Sequence, residues 1–447
     1  MHRPEEKPAP AIRHRRQLRN TGITIALGVV LFTVGAVGLS PSSAGTPDAP
    51  ASASSSTGTA RGIEASRERV KRLPKDPVSW ADLGMALVQQ ARTTADQATY
   101  AQAETALRRS LALRSAENLH AEIGMGALAA ARHRFRDALT WAHEAVATSP
   151  ATPASYGILA DAHTQLGQYR EAEEAVQKMV DLRPDSSSLA RASYAVELRG
   201  DTDRAEALME RSLRAAGTPG ERAFAHTHLS SLALESGDAA TALRQADTGL
   251  ALAPLDAGLL EARAKARAAT DDREAAVADY TAAVAAAPLP QYLLALGELQ
   301  QSLGHQDQAE AQYAVLRAQE TLRRAGNAPA DVDAIHFEAD HGDPRHAVTM
   351  AEAAVRERPF LAVHDAYAWA LHRAGRDREA LAQADEALAL GTRSALFLYH
   401  RGAIHQALGD TTAARSDLER ALATDPSFHP LHAPEARAAL RRIDDTP

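Results

Sequence analysis

The fold of this chain is decided by residues 153–184, which read PASYGILADAHTQLGQYREAEEAVQKMVDLRP. Apolar residues recur at helical spacing in two runs, which is typical of two amphipathic helices. Small residues at Ala160 and Ala172 allow these helices to approach closely. Gly167 between the runs suits the left-handed conformation that ends a helix, and Pro184 stops the second helix. The stretch therefore predicts one antiparallel helix pair.

The same pattern recurs along most of the chain. A small residue of the second helix returns in steps of 33 to 38 residues, at Ala103, Ala138, Ala172, Ala205, Ala242, Ala276, Ala309, Ala347, Ala380 and Ala414. A single helix pair cannot bury its apolar stripe alone, whereas stacked pairs bury a continuous core. Ten copies in register therefore predict one elongated stack of helix pairs.

Residues 153–184 resemble the tetratricopeptide repeat, whose motif residues are matched by Tyr156, Leu159, Ala160, Gly167, Tyr169, Ala172 and Pro184. The resemblance implies an all-α, right-handed superhelical solenoid of about ten antiparallel helix pairs. It also implies that the first helices line a concave groove that binds extended peptides or partner helices. The sixth copy departs from the motif, because Asp271 replaces the turn glycine and Arg263 and Arg267 replace apolar residues. The frequent use of Ala and Arg resembles that of high-GC bacteria, actinobacteria in particular.

The pattern divides the chain into six predicted segments. These are a basic cytoplasmic tail or signal n-region at 1–20, a hydrophobic span or signal h-region at 21–40, a Pro/Ser/Ala-rich linker at 41–61, a leading helix at 62–76, the solenoid at 77–426, and a C-terminal capping helix and tail at 427–447.

The N-terminal segment allows two interpretations. Basic residues precede 17 uncharged residues, Ile23–Leu39, which at 1.5 Å per residue would span about 26 Å as a helix. The run is either a signal peptide cleaved after Ala44 or an uncleaved single-pass anchor. Because basic residues stay on the cytoplasmic side, both interpretations predict an extracytoplasmic solenoid, either membrane-anchored with its N-terminus in the cytoplasm or secreted.

The composition excludes several classes of function. The net charge is −8 although residues 1–20 are basic, so the remainder is acidic and nucleic-acid binding is not expected. The chain has no cysteine, which excludes disulfides and cysteine-ligated zinc. Phosphate-binding loops and nucleophile-elbow motifs are missing from the sequence, and the repeats leave no room for a catalytic domain. We therefore expect a protein without enzymatic activity and without a cofactor.

Histidine is frequent, with 18 copies. A helical two-histidine metal site needs rings four residues apart, and no histidine pair in the sequence has that spacing. We therefore expect solvated or edge histidines and assign no metal ligand. An accessory protein of a membrane transport system, binding metal or a small ligand, stays the alternative function.

The groove positions implied by the family resemblance are the main candidates for a binding site. They are Asp161, Tyr194, Glu197, Glu261, Lys265, Glu298, His336, Asp340, Asp365, Trp369 and His372. Six of these residues are acidic and Lys265 is the only Lys or Arg among them, so the groove should prefer a basic partner segment. The sequence thus predicts an extracytoplasmic scaffold that binds a protein partner in its groove.

Overall fold

The computed structural model describes residues 55–94, 97–325 and 330–445, and the regular structure in these ranges is α-helical. The 22 helices of the described residues are α1 (Ser55–Arg72), α2 (Pro77–Thr94), α3 (Gln97–Leu113), α4 (Leu119–Ala131), α5 (Phe135–Thr148), α6 (Pro153–Gln165), α7 (Tyr169–Leu182), α8 (Ser186–Glu197), α9 (Thr202–Ala215), α10 (Pro219–Glu235), α11 (Ala239–Leu252), α12 (Ala257–Ala269), α13 (Arg273–Ala286), α14 (Pro290–Ser302), α15 (Gln306–Ala325), α16 (Val332–His341), α17 (Pro344–Glu357), α18 (Leu361–Arg373), α19 (Asp377–Leu388), α20 (Ala395–Ala407), α21 (Thr411–Thr424) and α22 (His432–Asp444).

Helices α2 to α21 form ten antiparallel pairs, α2/α3 through α20/α21, and each helix except α17 packs most extensively against its pair mate, whereas α17 packs more on α18 than on α16. The first helices also pack on one another: α4 lies against α2 and α6, α12 against α10, and α18 against α16 and α20. They therefore form the inner layer and the second helices the outer one. The predicted all-α, right-handed superhelical solenoid is confirmed. Helix α1 packs on α2 ahead of the first pair, and α22 packs on α20 and α21 after the last.

The alanines that set the repeat register lie at the closest helix contacts. Ala138, Ala205 and Ala242 are each 0% exposed. Glycines allow similarly close packing around Leu107, because the Leu107 side chain occupies the space that a Cβ at Gly84 or Gly124 would need. A chain with few aromatic residues builds its core in this way, because small residues bring the helix backbones together and leucines fill the remaining space.

The degenerate sixth copy keeps its shape by other means. Asp271 adopts the left-handed conformation of the missing turn glycine, with φ of 66°, which aspartate tolerates better than most residues. Arg263 and Arg267 both bind the buried carboxylate of Asp279, at 2.7 to 2.8 Å. The two arginines that break the apolar pattern are therefore paired with a buried acid of the same helix pair.

Distant parts of the solenoid touch. The backbone N–H of Leu361 donates to the hydroxyl of Tyr169 at 2.9 Å, across 192 residues of sequence. Arg136 reaches the end of α17, where it donates to the carbonyl of Arg356 at 3.0 Å and pairs with Glu357 at 3.2 Å. These contacts join an early winding of the solenoid to a later one, and we call this contact zone the seam.

Two turn glycines belong to the seam. Gly167 and Gly200 have φ of 68° and 77°, so each needs glycine for its conformation. A Cβ on Gly167 would also lie 2.6 Å from the carbonyl oxygen of Pro359, and one on Gly200 would meet the carbonyl oxygen of Gly391. The two windings therefore approach backbone to backbone.

In the described ranges, no helix has the length and apolar character needed to cross a membrane. The predicted segments at 1–20, 21–40 and most of 41–61 lie outside the described residues.

Candidate functional site

The inner helices enclose a space lined by charged side chains, which we call the lumen. Its wall includes Glu197 at the end of α8, Glu235 at the end of α10, Glu261 and Lys265 on α12, and Asp333 on α16. Lys265 pairs with Glu261 at 2.8 Å, and half of its side chain is exposed. Its charge also acts on Glu235 and Asp333, which belong to other helices. These side chains therefore form one electrostatically coupled set.

Two carboxyl groups of the lumen wall oppose each other. Burial, and next the charge of Glu235, raise the pKa of Glu197 well above its ordinary value. Burial also raises the pKa of Glu235 to about 7, against the opposing charges of Lys265 and Arg393. A raised pKa means that the ionised form of a carboxyl group is poorly compensated, so an added cation would favour ionisation in this part of the wall.

A carboxyl group of the lumen wall on α16 also has a raised pKa. Burial raises the pKa of Asp333 to about 7, and the charges of Asp331 and Glu261 add to the effect. Lys265 carries a raised pKa, chiefly because of the charge of Glu261, and is therefore already engaged. The wall holds more carboxyl groups than its own cations satisfy.

Toward α6 the wall has a different character. The guanidinium of Arg191 donates to both carboxylate oxygens of Asp161, at 2.9 and 2.7 Å. Tyr194 stays neutral, since burial and the charge of Glu197 raise its pKa well above the ordinary value. The charge of Asp161 is therefore compensated within the chain, unlike that of Glu197 on the next inner helix, α8.

Glu298 lies at the centre of a buried network. Its two carboxylate oxygens are bonded to different histidines, Oε1 to His341 Nε2 at 3.2 Å and Oε2 to His429 Nε2 at 3.0 Å. Burial alone would raise the pKa of Glu298, but the charge of His429 and the bond from His341 hold it at about 2. His429 belongs to the loop between α21 and α22, so this loop is fixed onto α14.

A second carboxylate of the network is Asp340. The indole N–H of Trp369 donates to both of its oxygens, at 3.0 and 2.9 Å. His432 lies 3.7 Å from Asp340 and 3.1 Å from Glu435. Burial disfavours charge on His432, but these two carboxylates outweigh it and raise its pKa to about 9. The imidazolium and Asp340 therefore compensate each other.

The third carboxyl group is Asp365, which is fully buried. His400 Nδ1 lies 3.0 Å from both of its oxygens, and His336 lies 3.9 Å away. Burial raises the pKa of Asp365 to about 7 and lowers that of His336 to about 4. The ring of His400 also stacks on Trp369, with centroids 4.2 Å apart. We call this whole assembly the histidine cluster, which comprises Glu298, His336, Asp340, His341, Asp365, Trp369, His400, His429 and His432.

The structure thus divides the predicted groove residues into two sets. Glu197, Glu261 and Lys265 line the lumen wall, whereas Glu298, Asp365 and Trp369 are at most 5% exposed. His372 binds Asp377, with Nδ1 and Oδ1 2.6 Å apart, at the outer margin of the second set. Whether any of them contacts a partner stays a prediction.

Sequence reasoning missed two residues of the lumen wall, Glu235 and Asp333. Glu235 precedes the register alanine of its repeat by seven residues, as Asp340 does, so the repeat alignment could have found it. The expectation of solvated or edge histidines is wrong for His400 and His432, which are 1% and 6% exposed. Carboxyl groups from other repeats accommodate their burial, since His400 is hydrogen-bonded to Asp365 and His432 is paired with Asp340.

Among the described residues, no group of three His, Asp or Glu side chains is arranged to hold a metal ion. The imidazoles of the histidine cluster are instead engaged by carboxylates and aromatic rings.

Two of the helix pairs match a known repeat family. The family model for the tetratricopeptide repeat matches residues 153–186 and 395–428, which hold α6/α7 and α20/α21. No curated protein sequence matches the chain.

Several solved structures are similar to the chain. Yeast Tom70 is 14% identical, with 88% of this chain and 94% of that chain covered and a TM-score of 0.36. PilF of Pseudomonas aeruginosa is 17% identical over 50% of this chain and 97% of its own, with a TM-score of 0.38. The human IFIT1 dimer with PPP-AAAA is 14% identical over 81% and 85%, with a TM-score of 0.45. At these TM-scores, none of the likenesses indicates what this chain binds. The match identifies α6/α7 and α20/α21 as tetratricopeptide repeats, and the other helix pairs follow the same register.

Proposed function

We propose that the protein is an interaction scaffold that binds a basic segment of a partner protein in its lumen. Proteins of this family generally mediate protein–protein interaction and are generally not enzymes. The observation that supports the basic partner is the set of poorly compensated carboxyl groups at Glu197, Glu235 and Asp333.

The charge balance of the lumen favours a cation over an anion. Lys265 is paired with Glu261, and Arg393 acts on Glu235 without bringing its pKa down to the ordinary value. A lysine or arginine of the partner placed between Glu197 and Glu235 would let both ionise. The interaction would be strong because the surroundings are less polar than bulk water. The lumen wall thus provides specificity for positive charge.

The test is binding of a fluorescent, unstructured lysine-rich peptide, measured by anisotropy at moderate ionic strength. The lumen variant carries Glu197→Lys and Glu235→Lys. The control carries Glu206→Lys and Glu210→Lys, which make the same change in net charge on the exposed face of α9. We expect the lumen variant to bind at least about tenfold more weakly and the control to bind nearly as the parent does. Equal weakening in both variants would show that net charge alone attracts the peptide and would overturn the lumen site.

The partner itself is sought by cross-linked capture, with the same two variants as comparison. A protein recovered by the parent and the outer-face control, but not by the lumen variant, is the expected result. Glu298→Lys is unsuited to this purpose, because Glu298 is buried between two histidines and its reversal would disrupt the fold as well as the site.

The proposal includes an extracytoplasmic location. It rests on the basic residues that precede the uncharged run Ile23–Leu39. Protease treatment of intact cells should digest the solenoid, or the protein should appear in the medium. Full protection of the chain in intact cells, with digestion after lysis, would contradict this part of the proposal.

A further inference from the structure

A pocket opens where the seam meets the inner helices, and we call it the seam pocket. Its walls come from α6, α7 and α8 together with a residue that follows α19. It contains about 570 Å³ of space between atoms, part of it open to solvent. The residues that decide its chemistry are Gln165, Tyr169, Val176, Tyr194, Leu198 and Leu390.

The apolar part of the pocket belongs to both windings. Val176 and Leu198 are buried, at 8% and 7% exposure, and Leu390 is half-buried. Leu198, Tyr194 and Leu390 pack against the same core cluster, which is built mainly from α16 to α22. The pocket is therefore complete when the later winding is docked on the earlier one.

The charged groups of the pocket neutralise one another. Arg191 binds Asp161 through two hydrogen bonds, and Arg199 forms an ion pair with Glu173. A charged ligand would have to break one of these pairs or remain uncompensated next to it, which is costly in a partly dehydrated site. The pocket chemistry therefore favours an uncharged ligand.

One polar atom in the pocket lacks a hydrogen bond. The side chain of Gln165 is 7% exposed, and its Oε1 accepts no hydrogen bond from any residue that the structure describes. A buried acceptor left unpaired costs free energy, whereas a ligand that donates to it recovers that cost. The ligand that fits therefore carries an N–H or O–H donor.

We propose that the seam pocket binds an uncharged, mainly apolar group of about the size of one aromatic ring, which donates one hydrogen bond to Gln165. The rings of Tyr169 and Tyr194 and the side chains of Val176, Leu198 and Leu390 contact its apolar part. Such a group is either a free small molecule or a side chain of a bound protein. The pocket adjoins the α6 side of the lumen wall, since Tyr194 belongs to both, and its uncharged ligand goes beyond the proposed function.

Phenol and fluorobenzene test this proposal, since they have nearly the same size and only phenol carries a donor. Saturable binding of each to the full chain is measured by ligand-observed NMR titration. We expect phenol to bind about three- to tenfold more tightly than fluorobenzene, as one net hydrogen bond predicts. Equal affinities would overturn the role of Gln165, and the lack of saturable binding by either probe would overturn the pocket.

Gln165→Leu should reduce phenol affinity to the level of fluorobenzene and leave fluorobenzene unchanged. The matched control is Gln300→Leu, because Gln300 on α14 is also 7% exposed with an unpaired Oε1 and does not line the pocket. Equal effects of the two substitutions would contradict the proposal. Comparing the two probes on the parent chain needs no variant and stays decisive if Gln165→Leu folds poorly.

A capped tripeptide, acetyl-Gly-Tyr-Gly-amide, distinguishes the two sources of the ligand. Tighter binding of the tripeptide than of phenol supports a protein side chain as the natural occupant. Weaker binding supports a free molecule. In either case, Gln165→Leu must weaken binding of the ligand that binds more tightly. If the substitution leaves that affinity unchanged, the proposal is overturned for that source.

Discussion

Glu197 in the lumen wall and Glu298 in the histidine cluster are both acidic residues of the inner layer of helices, yet their electrostatic states are opposite. In the lumen wall, burial raises the pKa values of Glu197 and Glu235, and the nearby cations do not restore them. In the histidine cluster, two imidazoles hold the pKa of Glu298 at about 2 despite its burial. The difference arises from the loop after α21, which supplies His429 to Glu298.

This contrast explains how one repeat pattern produces both a packed interior and a surface of uncompensated carboxyl groups. A carboxylate on an inner helix needs a compensating cation, which the fold supplies at one place and leaves out at another. In the histidine cluster, Glu298 and Asp340 have their compensation within the chain and contribute to stability. The lumen wall lacks it, and we infer that a partner provides it.

The largest expected effect separates the two regions by stability. Glu298→Gln removes a buried charge that two half-buried histidines compensate, so we expect the free energy of unfolding to fall by about 3 kcal/mol. Glu197→Gln replaces a carboxyl group whose raised pKa already favours the neutral form, so its effect should stay within about 0.5 kcal/mol. Urea unfolding at neutral pH, followed by circular dichroism, measures both variants.

The test is the difference between the losses of stability in Glu298→Gln and Glu197→Gln. Equal losses of stability would mean that Glu197 is compensated within the chain as Glu298 is. In that case the lumen wall would have no unsatisfied charge to offer a partner. A small change in Glu298→Gln would instead show that the histidine cluster contributes little to the fold.

The next effect is the pH dependence of peptide binding. Glu235 and Asp333 have pKa values of about 7, so in the free protein they gain protons as the pH falls from 8 to 6. A bound cation favours the ionised form, so binding releases protons and becomes tighter as the pH rises. Each carboxyl group that ionises fully on binding contributes up to about tenfold in affinity between pH 6 and pH 8.

Anisotropy titrations of the lysine-rich peptide at pH 6, 7 and 8, at constant ionic strength, measure this dependence. The double variant Glu235→Gln, Asp333→Asn is the control, since it should bind more weakly at pH 8 and lose most of the slope. An affinity of the parent chain that does not change over this range would contradict the charge state assigned to the lumen wall.

The sequence determined the solenoid because its signals are local and repeated. The register alanines and turn glycines depend on contacts within one helix pair, and even the irregular turn at Asp271 could be predicted from its position. The sequence also shows that Arg263 and Arg267 of that copy replace apolar residues of the motif. Their shared partner Asp279 lies on the opposite helix of the pair and became evident only in three dimensions.

The sequence could not separate the lumen wall from the histidine cluster. Glu261 and Glu298 are both inner-helix carboxylates, and only their distant neighbours differ. His429 and His432 lie after the last repeat, where the 34-residue register gives no information about position. The seam was equally hidden, because Tyr169 meets Leu361 across 192 residues without a pattern that links them.

The smallest predicted effect compares two tryptophans that donate similar hydrogen bonds in different surroundings. Trp369 donates to the carboxylate of Asp340 inside the histidine cluster, at 3.0 and 2.9 Å, whereas Trp80 donates to the exposed carbonyl of Pro74 at 3.0 Å. Trp369→Phe removes a donor from a buried anion, so we expect the lost hydrogen bond to cost about 1 kcal/mol in addition to the packing lost with the smaller ring. Trp80→Phe should cost less than about 0.5 kcal/mol, since water can replace its N–H. Urea midpoints of the two variants give the comparison, and an equal loss in both would mean that Asp340 relies on His432 and not on the indole for its compensation.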